Sequence, residues 1–441
     1  MPSGACSIGR RLAIALAGFA AMAAIPARAT PYLVVDADSG QVLMQNEATA
    51  IWYPASLTKL MTVYVALDAV RAGKLTMDTP LVMSARAARM QPSKMGFRPG
   101  TEVTLDNALK MLMVKSPNDV AVMIAEGISG SVESFADAMN GAGQRLGLHE
   151  SHFVNPNGLH NPDHVSSARD MAIIARALLR EFPDHADLFD IGALQFGAQI
   201  IRNHNGLLGR YPGADGMKTG FTCPAGWNLV ASAGQYGRHL IAVVLGAPTA
   251  RLRNQETADL LDRGFATSSG SVSLDSLGPT ASGGAPNMRS NVCLHRSAAA
   301  IVAAEEEEGG GSEPIRSTVS GGRGGVTYAV AAAGAPAHTQ LSAERPVFQP
   351  IPVFIGPVAG WKGPVLAARP SAGEALPANA KAYSAEKTGG TDEAAGAGEE
   401  TSAPTALQGA VVTPAPQTPK KTKRGAKAAA AKPAKAKSTA D

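Results

Sequence analysis

Apolar positions divide this chain into segments of different period. Residues 31–36 (Pro-Tyr-Leu-Val-Val-Asp) and 41–45 are short apolar runs of strand character, joined by Ala37-Asp38-Ser39-Gly40, a turn composition. The run at 60–67 is apolar but for Thr62 and helical in character, which predicts a buried helix opening at Pro54-Ala55-Ser56-Leu57-Thr58-Lys59. A helical pattern over 105–114 stops at Lys115-Ser116-Pro117-Asn118, and a second helix begins with Val120, Val122, Met123 and Ile124 apolar. Helices are also predicted over 135–146 and 168–179, the latter opened by Ser166-Ser167-Ala168-Arg169-Asp170. Between them, 152–165 contains Asn155-Pro156-Asn157-Gly158 and reads as an irregular loop. Residues 217–222 are extended, 227–233 and 240–245 form a hairpin around Tyr236-Gly237, and 251–265 is a final amphipathic helix. Strands at both ends with helices between them predict a mixed α/β domain over 30–266.

Composition changes the picture at both ends. Arg10-Arg11, the Ala-rich apolar stretch 12–25 and Ala27-Arg28-Ala29 have the order of a secretory signal peptide, so residues 1–29 are expected to be removed on export. The apolar stretch is too short to span a bilayer comfortably. Beyond 266 the chain is rich in Ser, Gly and Ala, with an acidic run at 305–308, and 267–325 is expected to be a low-complexity linker. Residues 326–370 hold Tyr328-Ala329-Val330 and 347–355, enough for a short β-rich segment whose prolines confine it to sheet edges. Residues 371–441 have the Ala/Pro/Lys composition of a disordered tail.

The formal net charge of the 441 residues is +4, but its basic part lies in the leader and in 420–441, and the remainder is net acidic. That excludes a basic nucleic-acid-binding domain. The basic tail suits contact with anionic envelope polymers, or is simply solvated. Of the 3 cysteines, Cys6 leaves with the leader. Cys223 and Cys293 are able to pair in an exported chain, and the sequence leaves open whether they do. Taken alone, Cys223 reads as a small buried hydrophobe in preference to a reactive thiol. His160 and His164 lie in the 152–165 loop, but no third ligand has the spacing of a metal site, and neither a metal nor a cofactor is expected.

The candidate chemistry starts at Ser56 and Lys59, three apart and therefore on one face of a helical turn. A serine hydroxyl needs a base to become a nucleophile, and a lysine amine can serve if it is held neutral. Two further motifs follow in order, Ser116-Pro117-Asn118 and Lys218-Thr219-Gly220. Taken singly, Ser116 and Asn118 read as helix caps, Lys218 as a surface strand lysine and Arg253 as a solvated helix arginine. Together, the three motifs are the signature set of penicillin-binding proteins and class A β-lactamases.

The detail narrows the resemblance. Asp36 to Gly40 with Pro54 to Thr62, Ser166 to Ala172, Asn203-x-Asn-Gly-Leu-Leu208, Asp215-Gly-Met-Lys-Thr-Gly220 and Ala225-Gly-Trp-Asn-Leu-Val-Ala-Ser232 closely resemble the low-molecular-mass penicillin-binding D-alanyl-D-alanine carboxypeptidases. The resemblance covers 31–266. It implies a penicillin-binding-protein-like catalytic domain, an antiparallel sheet flanked by helices, acting in the periplasm on D-Ala-D-Ala stem peptides of peptidoglycan and blocked covalently by β-lactams. It further implies that Ser56 attacks the penultimate D-alanine carbonyl with Lys59 as base. The N–H groups of Ser56 and Phe221 would form the oxyanion hole, and Ser116 would relay a proton to the leaving amine. Asn118 would hold a substrate amide, and Lys218 would help keep Lys59 neutral. Gly220 completes the third motif, while Thr219 and Arg253 would hold the terminal carboxylate. Pro117 and Phe221 depart from the residues common in the family, glycine in the middle motif and His or Tyr after the third. The family's β-rich second domain and amphipathic C-terminal membrane helix are not expected from the sequence beyond 266. Within the same superfamily a D,D-endopeptidase is the alternative activity; a different class is a catalytically idle peptidoglycan-binding protein.

Overall fold

In a computed structural model the described residues are 30–270, 272–279, 283–294, 341, 346–369 and, for backbone alone, 380–382. The expected leader at 1–29 and nearly all of the expected tail at 371–441 lie outside them. Six strands form one antiparallel sheet in the order β10-β2-β1-β9-β8-β7. They are β1 (Tyr32–Asp36), β2 (Gln41–Asn46), β7 (Ala214–Thr222), β8 (Gly226–Gln235), β9 (Arg238–Ala247) and β10 (Val272–Ser273). The N-terminal strand β1 pairs with the late strand β9, Tyr32 opposite Val244, so the two ends of the domain close on each other.

Both faces of this sheet are covered, which explains why 240–245 reads as an unbroken apolar run. Ile241, Val243 and Leu245 enter the larger core, while Leu240, Ala242 and Val244 enter a second one on the opposite face. The second core is closed by helix α7 (Ala250–Ala266), through Ala258, Leu260 and Leu261. The larger core holds α1 (Thr58–Arg71), α3 (Leu105–Val114), α4 (Asn118–Ser129), α5 (Val132–Leu146) and α6 (Ala168–Glu181). Helix α1 is buried at every position from Thr58 to Leu67, as its pattern predicts.

Short elements escaped the sequence pattern because three or four residues show no period. These are β3 (Pro80–Val82), α2 (Ala85–Ala88), β4 (Glu102–Thr104) and the hairpin β5 (Ala193–Phe196) with β6 (Gln199–Arg202). The expected linker from 267 needs correction for its described part, because few apolar residues suffice when they enter grooves already present. Strand β10 extends the sheet beside β2, and Leu274 is buried with its N–H on Gly40 O. Helix α8 (Arg289–Val292) buries Val292, and Cys293 forms a disulfide with Cys223. Cys223 is therefore half-buried and bridged, where the sequence suggested a small buried hydrophobe. Further on, β11 (Ile351–Val353) adds to β5, and β12 (Val365–Ala367) lies between β3 and β13 (Ala380–Ala382). Pro352 sits on the outer strand of its sheet, where its missing N–H costs no ladder bond.

The start of α6 fixes the segment that leads into the site. Ser167 caps the helix by accepting from Asp170 N, 3.1 Å, and Trp52 and Ser166 exchange backbone hydrogen bonds of 2.8 and 2.9 Å. The Asp170 carboxylate accepts from Glu150 N and Ser151 Oγ, both 2.8 Å, and pairs with buried Arg169 at 2.8 Å. Burial, and then the charge of Asp170, push the neighbouring Glu150 carboxyl up to about 7. A carboxyl raised in the fold stabilises it at low pH, and that contribution is lost as pH rises from the unfolded value towards 7. Glu150→Gln should therefore raise Tm at pH 8 by about 3 °C, equivalent to about 1 kcal/mol after solvent screening, and leave it unchanged at pH 4, as thermal melts at the two pH values would show.

Candidate active site

Ser56 lies in a 3-10 turn, Ala55–Leu57, that runs directly into α1. Two features hold this turn against the sheet. Asn228 Nδ2 on β8 donates to Tyr53 O at 2.9 Å and Pro54 O at 3.1 Å, while its Oδ1 accepts from Gly246 N. Gly220 on β7 comes so near that a Cβ there would lie 2.9 Å from Pro54 O and 3.1 Å from Ser56 N. Glycine in the third motif is thus a requirement of space, and it brings the backbone before Phe221 alongside Ser56.

Lys59 is wholly buried, and its Nζ meets three oxygens: Ser56 Oγ at 2.8 Å, Asn118 Oδ1 at 2.9 Å and Asn157 O at 2.9 Å. The carbonyl of Asn157 is a partner that sequence reasoning missed; a backbone oxygen leaves no trace in residue identity. Its loop is clamped onto the first turns of α1. Thr62 Oγ1 donates to Pro156 O at 2.6 Å, and Thr58 Oγ1 meets His164 Nε2 at 2.7 Å. His164 Nδ1 accepts from Val154 N at 3.1 Å, so in the neutral ring the proton sits on Nε2 and is donated to Thr58. Burial holds His164 down to about 3, so the ring stays neutral. His160 packs edge-on against Tyr53, ring centroids 4.7 Å apart.

The middle motif closes the other side. Ser116 has φ +60°, is 7% exposed, and among the described residues its Oγ has no hydrogen-bond partner. It does not cap α4, whose N-cap is Pro117; that proline stands one position before the first helical residue. Asn118 opens α4 with its N–H on Ser93 O at 2.6 Å, and its Nδ2 donates to Gln91 O at 3.0 Å and Pro92 O at 3.1 Å. Asn118 therefore ties Lys59 to the 91–93 loop. Lys218 is 2% exposed with Nζ 3.1 Å from Thr219 O, and Arg253 is fully buried, donating to Asn254 Oδ1 at 2.8 Å and Asn228 O at 3.4 Å. Neither is the surface cation that each resembles in isolation.

These groups surround a cavity of about 210 Å³ lined by Ser56, Ser116, Asn118, Thr219, Phe221 and Arg253, with Asn157 and His204 also on its wall. Phe221 stacks on Trp227, ring centroids 4.2 Å apart. The structure thus brings the residues of all three motifs to one cleft, with Arg253 beside them. A hydroxyl touching a buried amine, next to a basic cavity that no carboxylate among the described residues lines, is suited to acyl transfer on a substrate carrying an anionic group.

A sheet covered on both faces, with a Ser-Lys pair at the foot of the central helix and a Lys-Thr-Gly strand beside it, defines the penicillin-binding class of serine acyl-transfer proteins. The family model described as D-alanyl-D-alanine carboxypeptidase matches residues 19–249, and the chain belongs to that family. It is 40% identical over 244 residues to D-alanyl-D-alanine carboxypeptidase DacA of Haemophilus influenzae, covering 54% of this chain and 62% of the relative. It is 38% identical over 242 residues to DacF of Bacillus subtilis, covering 53% and 61%. Among solved structures it resembles penicillin binding protein 5 from Haemophilus influenzae, with a TM-score of 0.52 and 39% identity over 54% of this chain and 71% of that one. The chain thus spans a little over 60% of the length of these curated relatives.

One glycine tests how tightly the loop is set. Gly158 has φ +80°, and a Cβ there would fall 1.8 Å from Ala55 O. Gly158→Ala must move either the loop or the turn that carries Ser56, and is expected to cost about 3 kcal/mol, a fall of roughly 6–12 °C in Tm. An unchanged melting temperature would show that the contact is slack.

Proposed function

We propose that this protein is an exported serine-type D,D-carboxypeptidase that removes the terminal D-alanine from peptidoglycan stem pentapeptides through an acyl-enzyme. The observation that carries the reading is the three-oxygen setting of Lys59. With two N–H bonds directed at Asn118 Oδ1 and Asn157 O, a neutral amine turns its lone pair to the Ser56 hydroxyl, and complete burial disfavours the charged form. Ser56 Oγ attacks the carbonyl of the penultimate D-alanine while its proton passes to Lys59. Charge builds on the carbonyl oxygen between the N–H groups of Ser56 and Phe221. The C–N bond breaks, the D-alanine amine leaves with a proton relayed by Ser116, and water then releases the acyl group. Thr219 and Arg253 receive the terminal carboxylate, Lys218 adds positive charge behind them, and Asn118 keeps Lys59 in place. A role for the Asn118 amide towards substrate would require it to leave Gln91 and Pro92.

The Cys223–Cys293 bridge supports an oxidising compartment, in keeping with a leader at 1–29 and a periplasmic location. The lysine-rich run at 420–441 would be drawn to anionic envelope polymers.

Incubating the exported chain with a pentapeptide and with a cross-linked dimer tests the reading. Release of free D-alanine from the pentapeptide, lost in Ser56→Ala, is expected. Cleavage of the dimer alone would make it an endopeptidase, and no turnover of either would leave a binding protein.

Penicillins should inhibit it stably. The 152–165 loop gives the cavity only Asn157, Gly158 and Leu159, and its one carboxylate, Asp163, is exposed. With no glutamate there to activate water, the penicilloyl adduct should persist far longer than a peptide acyl-enzyme. Carboxypeptidase activity should return after penicillin acylation much more slowly than one peptide turnover; recovery at the turnover rate would place the chain with the β-lactamases.

A further inference from the structure

His204 is a cavity residue to which nothing above assigns a role. It lies between two asparagines whose side chains are spent on backbone. Asn203 Nδ2 donates to Ile191 O at 2.8 Å and its Oδ1 accepts from Asn205 N at 2.9 Å. Asn205 Nδ2 donates to Gly216 O at 2.9 Å and its Oδ1 accepts from Leu207 N at 3.1 Å. The segment is thereby fixed against the start of β7, and the residue between the two asparagines stands on the cavity wall with Thr219 and Arg253. Among the described residues no hydrogen bond ties either ring nitrogen, although the ring is only partly exposed.

Three cationic side chains act on that imidazole from three elements, Lys218 on β7, Lys115 at the end of α3 and Arg253 on α7, and the Lys59 amine on α1 adds to them only when it is protonated. Among the described residues no carboxylate lines the cavity to oppose them. Burial first, and then these charges, hold His204 down to about 3, so the free protein carries a neutral ring at any working pH. A substrate that brings one negative charge into the cavity alters that balance more for His204 than for these three cations, which stay charged. The carboxylate offsets the field that kept the ring neutral and offers it an acceptor, and an opposite charge in contact favours the protonated form.

We propose that His204 is a proton-linked carboxylate-binding residue: it takes one proton from solvent as the peptide's terminal carboxylate enters and then shares that carboxylate with Arg253 and Thr219. The proposal rests on the carboxypeptidase reading. Its consequence is a sign. Because the complex binds a proton that the free protein does not, affinity is greatest at low pH. It falls about tenfold per pH unit between the titration of the free ring and that of the complex, then levels off above the latter, where the ring binds as a neutral donor.

The experiment uses an N-acyl tripeptide ending in D-Ala-D-Ala. The KM for its hydrolysis should rise at least tenfold between pH 5 and pH 8. His204→Gln should give a high, flat KM over that range, and His204→Arg, permanently charged, a low and flat one. Calorimetric titration of the Ser56→Ala protein at pH 5.5, in two buffers of different ionisation enthalpy, should show proton uptake that vanishes in the Ser56→Ala, His204→Gln double variant. It should also vanish for the same peptide ending in D-alaninamide. A fluorescent penicillin that labels both His204 variants stoichiometrically establishes that they are folded. If His204→Gln keeps the wild-type slope, or the double variant still takes up the proton, the proposal is overturned while the carboxypeptidase reading stands. A protein that neither accepts the penicillin label nor releases D-alanine would bring down both.

Discussion

An amine buried to zero exposure has to find oxygen acceptors inside the protein, and around Lys59 much of the site exists to place them. One acceptor is a side-chain amide on α4, one is a loop carbonyl, and the third is the Ser56 hydroxyl. None would be in position without a rigid neighbour. Asn118 is held by the 91–93 loop, and the 154–158 loop is held by Thr58 and Thr62 on the same helix that carries Lys59. The helix thus secures the loop that in turn secures its own lysine. This closed circuit lets a flexible four-carbon side chain occupy one geometry, and it explains why a glycine must sit where the loop meets the turn.

The second constraint is the closeness of β7 to the turn that bears Ser56. Gly220 permits it, Asn228 fixes the turn from the neighbouring strand, and Arg253 reaches the same place from the helix behind the sheet. The cleft is consequently assembled at the free edge of the sheet, from the foot of α1, the start of α4 and β7. The described C-terminal residues add to this frame. The Cys223–Cys293 bridge pins 283–294 to the end of β7, and β10 lengthens the opposite edge of the sheet. Chain that could not fold by itself is ordered because the domain already offers it an edge and a groove.

Charge gives the cavity its selectivity. Cations arrive from three different elements, and among the described residues no carboxylate lines the wall, so the site suits an anion. That arrangement leaves like charge desolvated, and the neutral imidazole of His204 stands among those cations.

Sequence by itself determined the elements whose period is long enough to read. These are the buried, largely apolar α1, the helices α3 and α6, the β8–β9 hairpin and the three motifs in order, because the side chains that carry acyl-transfer chemistry must be of particular types at particular spacings. It also marked Asn203 to Leu208 as a motif without revealing its purpose. Tertiary structure decided the rest. Lys218 and Arg253 read as ordinary surface cations until two faces of one sheet are both covered. Asn157 contributes a backbone carbonyl, which every residue possesses. The pairing of Cys223 with Cys293, 70 residues apart, depends on where a low-complexity segment returns to the domain. His204 shows the division most plainly: its identity is local, but its lack of charge is set first by burial and then by cations distant in sequence, since electrostatic energy depends on separation in space and on burial.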